Sequence, residues 1–213
     1  MSAILDFKQP TLVVVGAWNQ AILSQPEWLS VNIFGFASGE EFELPVINFP
    51  DTGKNVYFIN GVGVACLGDR LELYCEPESD GKAIYAPLGR LVEVLPHTPV
   101  AALGVNFMFN LIGDFADSFE EQLQTTETLD ALGEILQQER ADVFLMDEGV
   151  KMTIKRRAAG GERTVSFNFH YEINNLEVVA GLIENDFVAA SRARAEKILI
   201  DTYEADRFEA QGF

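Results

Sequence analysis

The stretch TVSFNFHYEIN, residues 164–174, alternates polar and apolar side chains without a break. Val165, Phe167, Phe169, Tyr171 and Ile173 fall on one side, and Thr164, Ser166, Asn168, His170 and Glu172 on the other. A period of two is the strand period. One apolar and one polar side is the pattern of an antiparallel sheet that covers a core with one face only. Residues 150–157 repeat it. Val150, Met152 and Ile154 alternate with Lys151, Thr153, Lys155 and Arg157. Between the two runs stands Ala-Ala-Gly-Gly-Glu, read as a hairpin loop.

Working outward, Asp142 to Met146 reads as a further strand. Val100 to Ile112 is the longest strand candidate. Its alternate residues Ala101, Leu103, Val105, Phe107, Phe109 and Leu111 make a continuous apolar face, expected in the core. The other face, Val100, Ala102, Gly104, Asn106, Met108 and Asn110, is mixed. That face is expected to be partly covered or to border a groove, with Asn106, Met108 and Asn110 as candidate pocket residues. Two helical stripes lie between these strands: Phe115, Phe119 and Leu123, then Leu129, Leu132, Ile135 and Leu136. A last helix is expected over 187–203, with Asp186 as N-cap and Val188, Ala195, Ile198, Leu199 and Tyr203 on its apolar side.

The first half has a similar order. A strand at Thr11 to Ala17 precedes a helical region, Asn19 to Ser30, interrupted at Pro26, which suits a first helical position. Strands are expected at Val31–Phe36, Phe42–Phe49 and Val56–Asn60. A hairpin follows, Val62–Leu67 and Arg70–Glu76 about Gly68-Asp69, and then a helix over Ala86–Leu95, stopped by Pro96 and Pro99. The expected class is α+β: a curved, mainly antiparallel sheet with helices on one face. It is organised either as two tandem β-α-β(n)-α units, 1–98 and 99–213, or as one continuous domain.

The hairpin fixes the two cysteines. Its register sets Cys66 opposite Leu71 and Cys75 opposite Val62, four rungs apart, or about 13 Å along the strands. A disulfide needs Cα atoms within about 7 Å, so both are read as free buried thiols, and a two-cysteine metal site fails on the same geometry. Free thiols suit a reducing compartment. No apolar run approaches the ~20 residues of a membrane span. The first residues have no basic region leading into an apolar core. The expectation is a cytoplasmic protein off the membrane.

The formal charge is −18, and it is segregated. Residues 114–148 hold eleven acidic side chains and one basic one, Arg140, whereas residues 151–163 hold five basic and one acidic. This balance opposes general nucleic-acid binding. The basic sheet face, with Lys151, Lys155, Arg157, Asn168 and His170, is the candidate interaction face. It is either an anion-holding surface or the plain solvated side of a sheet.

No catalytic constellation stands out. Asp51-Thr-Gly-Lys-Asn lacks phosphate-loop spacing, and Gly61-Val-Gly63 lacks the third glycine of a dinucleotide site. Both read as turns, as does His97 between prolines. No Gly-x-Ser-x-Gly elbow is present, and two histidines without nearby ligand spacing suggest neither metal nor cofactor. The leading expectation is a non-enzymatic interaction or assembly protein that binds a protein partner or itself. The alternative is a small-ligand binder or enzyme with a pocket between sheet and helices. A third reading is nucleic-acid mimicry by the acidic segment.

Overall fold

Val100–Ile112, thirteen residues long, is the strand on which the sheet is assembled. The computed structural model describes residues 2–6, 9–41, 43–49, 54–75, 82–113, 119, 123, 137–146 and 149–211. In chain order these form β1 (Ser2–Asp6), β2 (Leu12–Gly16), α1 (Gln20–Leu23), α2 (Pro26–Asn32), β3 (Val46–Phe49), β4 (Lys54–Ile59), β5 (Val62–Leu67), β6 (Arg70–Cys75), α3 (Tyr85–Val94), β7 (Val100–Ile112), β8 (Gln137–Leu145), β9 (Lys151–Ala159), β10 (Glu162–Glu172), α4 (Glu177–Glu184), α5 (Phe187–Tyr203) and β11 (Arg207–Gln211). The class is α+β on a mostly antiparallel sheet. None of these helices is long and apolar enough to cross a membrane.

The strand order is β3-β4-β5-β6-β2-β7-β10-β9-β8. One edge of β7 pairs with β10 from Ala102 to Asn110. Its other edge is shared: β2 takes Val100 to Val105, and β1 takes Phe109 to Ile112. β1 also pairs in parallel with β11, so the two ends of the chain meet beside the centre of the sheet. In each half the strand nearest the centre, β2 or β7, is followed outward by strands in reverse chain order: β6-β5-β4 and β10-β9-β8.

The apolar sides of these strands supply one large buried cluster. Leu12 and Val14, Leu103 to Leu111 in alternation, and Val165, Phe167 and Phe169 belong to it. The buried helix residues Leu23, Leu29, Leu88, Leu91, Val179, Val188 and Leu199 join the same cluster. Phe107–Phe169 and Phe109–Phe167 pack edge to face with centroids 6.4 and 6.0 Å apart. Each such ring contributes roughly 1.5–3 kcal/mol by burial. A second, small cluster (Val56, Phe58, Ala65 and Tyr74) contains strand residues alone and sits on the other face.

The hairpin of β5 and β6 has the register read from the sequence, Cys66 against Leu71 and Cys75 against Val62, and both thiols are free. The β9–β10 loop is tighter than the expected five residues. The ladder runs on to Ala159–Glu162, leaving Gly160-Gly161 as a two-residue turn with φ of +57° and +84°. Positive φ at both positions is what a type I′ turn demands, and glycine meets it without strain.

Several expectations need correction. Ala101 is exposed and Val100 is buried, the reverse of the alternation. The cause is a bulge: Val15 pairs with Ala102 but Gly16 with Val100, so Ala101 is the extra residue and the phase flips. Only glycine fits at 16, where a Cβ would lie 2.6 Å from the Pro99 carbonyl oxygen. The strand expected at Val31–Phe36 does not form. The helix opened by Pro26 carries on through Asn32, burying Leu29 and Ile33 one turn apart. Asp186 stands at the N-cap of α5, but with φ of +52° and no side-chain cap bond. α4 and the β1–β11 pair were not anticipated. Of the two acidic helical segments, Phe119 and Leu123 are described and buried. The remaining residues of 114–136 lie outside the described residues.

Candidate functional site

Strand alternation gives the sheet a second face, carrying the residues that the large core does not use. Across it run Lys54 of β4, Arg70 and Glu72 of β6, Val13 of β2, Asn106 and Met108 of β7, Ser166 and Asn168 of β10, and Thr153, Lys155 and Arg157 of β9. Together they line a groove of about 500 Å³. The groove opens on this face, and no helix residue lines it. Its walls, β6 and β9, stand four strands apart, about 19 Å at ~4.8 Å per strand spacing.

The floor is a polar ladder on adjacent strands. Asn168 pairs with Asn106 in register, and its Nδ2 donates to Asn106 Oδ1 at 2.7 Å. Asn106 Nδ2 donates to the Pro10 carbonyl at 3.2 Å. Beside them Gly104 leaves room for Asn168. A Cβ at 104 would come within 3.1 Å of Asn168 Nδ2.

The β6 wall is largely self-neutralised. Lys54 Nζ donates to Glu72 Oε2 at 2.9 Å, and both side chains are nearly buried, 12% and 11% exposed. Tyr74 Oη donates to the same Glu72 oxygen at 2.7 Å and accepts from Lys54. Burial, and then the Glu72 carboxylate, push the Tyr74 hydroxyl far above its ordinary pKa. This set is a fixed neutral cluster in which charge, donor and acceptor are mutually satisfied.

The β9 wall is different. Register places Arg157 beside Thr164, and Lys155 beside Ser166. Lys155 forms an ion pair with Glu139 of β8 at 2.8 Å, roughly half exposed on both sides. Among the described residues no ion pair or hydrogen bond engages the Arg157 guanidinium.

Of the eight residues singled out from the sequence, Asn106, Met108, Lys155, Arg157 and Asn168 line this groove. Lys151, His170 and Asn110 share the face but lie outside the groove. Lys151 pairs with Glu172, and His170 sits beside Gly104. The β6 wall was not read from the sequence. Its signal is a single carboxylate in the apolar strand Leu71-Glu72-Leu73, where Glu72 is only 8% exposed. Lys54 opens β4 and so is not the turn residue expected.

Two further features lie elsewhere. On the core face Arg156, 7% exposed, donates from Nε to Tyr203 Oη and from Nη1 to Asp142 Oδ2, both at 2.7 Å. On the outer edge of the sheet, β8 leaves Val143, Phe144 and Leu145 exposed at 68%, 44% and 75%. Among the described residues no group of His, Cys, Asp and Glu is arranged to hold a metal. Burial pushes the Cys66 thiol up to about 11.

No family model, no curated protein and no solved structure matches the chain.

Proposed function

We propose that the chain is a non-enzymatic interaction or assembly protein that receives a protein partner, or a second copy of itself, along the outer edge of β8. The supporting observation is the exposed apolar run Val143-Phe144-Leu145 on the strand that ends the sheet among the described residues. An edge strand presents unpaired N–H and C=O groups, and folded proteins usually guard such edges with charge or cover them. The charged residues of β8 are Glu139, Arg140 and Asp142, all in its first part, and its last three residues are apolar. Addition of a strand is the matching recognition mode: backbone bonds supply affinity, and alternate side chains supply choice of partner. Replacing Val143 and Leu145 by lysine tests this. Both side chains already face water, so V143K/L145K should fold and lose the contact. A variant that associates as well as the wild type removes the reading.

A second reading, small-ligand binding, is supported by the groove on the helix-free set of side chains. Its volume of about 500 Å³ falls within the ~300–1,000 Å³ typical of ligand sites. We also infer that residues 1–98 and 99–213 are two β-α-β(n)-α units built on one plan. The matching strand orders on the two sides of the β2–β7 pair support it. Expressing each unit alone tests this, because a unit that folds on its own gives a cooperative thermal transition.

A further inference from the structure

We propose that the β9 end of the groove binds the phosphate of a small phosphate monoester, whose uncharged body lies along the floor over Met108 toward Val13. The proposal rests on the ligand-binding reading of the groove and adds the chemical class and the orientation. Three observations carry it. First, the groove walls are about 19 Å apart at ~4.8 Å per strand, so a compact anion reaches one wall only. Second, the two walls are unequal. At the β6 wall Lys54 is already committed to Glu72 and Tyr74, and Arg70 stands beside its chain neighbour Asp69 at 3.8 Å. At the β9 wall Arg157 is unengaged among the described residues, and Lys155 is held only by the half-exposed Glu139.

Third, the donors at that wall are plural and spread over two successive positions of the groove face, about 7 Å apart along the strands. Arg157 stands beside Thr164, and Lys155 beside Ser166. A guanidinium fork, an ammonium and two hydroxyls arranged in this way suit a tetrahedral group with three charged oxygens. A planar carboxylate would leave part of the set unused. The floor then changes character toward Met108 and Val13, and the Asn106–Asn168 ladder offers amide groups beside the body.

Glu139 is the internal competitor. It lies directly opposite Arg157 in the β8–β9 register and pairs with Lys155. An incoming phosphate replaces it as the partner of Lys155. The two charge changes at this wall should therefore act in opposite directions.

Amide NMR titration of the full chain with inorganic phosphate, AMP and adenosine tests the proposal. The expected result is saturable shifts at Ser166, Asn168 and Met108 with phosphate and AMP, tighter for AMP. Adenosine alone should shift none of them. Arg157→Gln should weaken AMP binding at least tenfold, and Glu139→Gln should strengthen it. Both residues are exposed, so the two variants should keep the wild-type spectrum elsewhere. If adenosine shifts the groove as AMP does and R157Q is indifferent, the anion assignment falls while ligand binding at the groove stands. If none of the three compounds shifts these amides, both fall.

Discussion

The two halves of the sheet each hold a cation, a carboxylate and a tyrosine, and they use them differently. In the first half Lys54, Glu72 and Tyr74 lie on the groove face, all within β4 and β6. In the second half Arg156, Asp142 and Tyr203 lie toward the core, and the tyrosine comes from the last turn of α5. The first set lies within one part of the sheet. The second ties a helix to the outer strands. One kind of chemistry thus serves local order in one half and long-range attachment in the other.

Breaking the first set should have the largest effect. Glu72→Ala removes the carboxylate that Lys54 and Tyr74 share in a nearly buried site. The loss should be about 3–5 kcal/mol, the usual consequence of removing one partner of a buried pair. Urea unfolding measures it. The double variant Lys54→Met with Glu72→Leu should recover most of that loss, because apolar replacement of a whole buried pair is often neutral. A double variant as unstable as the single one would mean that the pair is not the cause.

Breaking the second set should matter less, and in a different place. Arg156→Met removes a charged donor from Asp142, which is itself 29% exposed, and from Tyr203. About 2 kcal/mol is expected, by analogy with hydrogen bonds to charged groups. Hydrogen exchange should speed up in the last turn of α5 and at β8, and remain unchanged in the β4–β6 hairpins. Uniform loss of protection would show that the two halves do not open separately.

Alkaline pH sharpens the contrast. Cys66, raised by burial from 9.0 to about 11, and Tyr74, raised further, both favour their protonated forms in the folded chain. A folded-state value above the unfolded one gives stability that is complete below the unfolded value and is lost as pH rises through the folded one. Stability should therefore hold to about pH 9 and fall above it. Tyr74→Phe with Cys66→Ser should lessen that fall and leave the part due to Tyr85 and Tyr203, which burial also raises. The exposed Lys151–Glu172 pair marks the small end. Lys151→Ala should leave the urea unfolding midpoint unchanged.

What could be read from the sequence follows the range of the interactions. β7, β9, β10 and the cysteine hairpin were legible because alternation and two-residue turns act over a few residues. The five groove residues found in advance come from those same strands. The phase error at Val100 and Ala101 arose from a bulge set by Gly16, some eighty residues away in the chain. β1 and β11 are five-residue strands at opposite ends of the chain, and their pairing leaves no local trace. The β6 wall was missed for a related reason. Glu72 borders the groove only because β6 lies next to β2, and β2 next to β7.

The central claim, assembly through the edge of β8, is tested most directly by capture. Tagged wild-type chain and tagged V143K/L145K are each incubated with native lysate that also contains untagged chain, and recovered protein is quantified. The wild type should retain a defined partner or its own untagged copy, and the variant should retain at least tenfold less. Equal recovery by the two baits, or none by the wild type, would contradict the account.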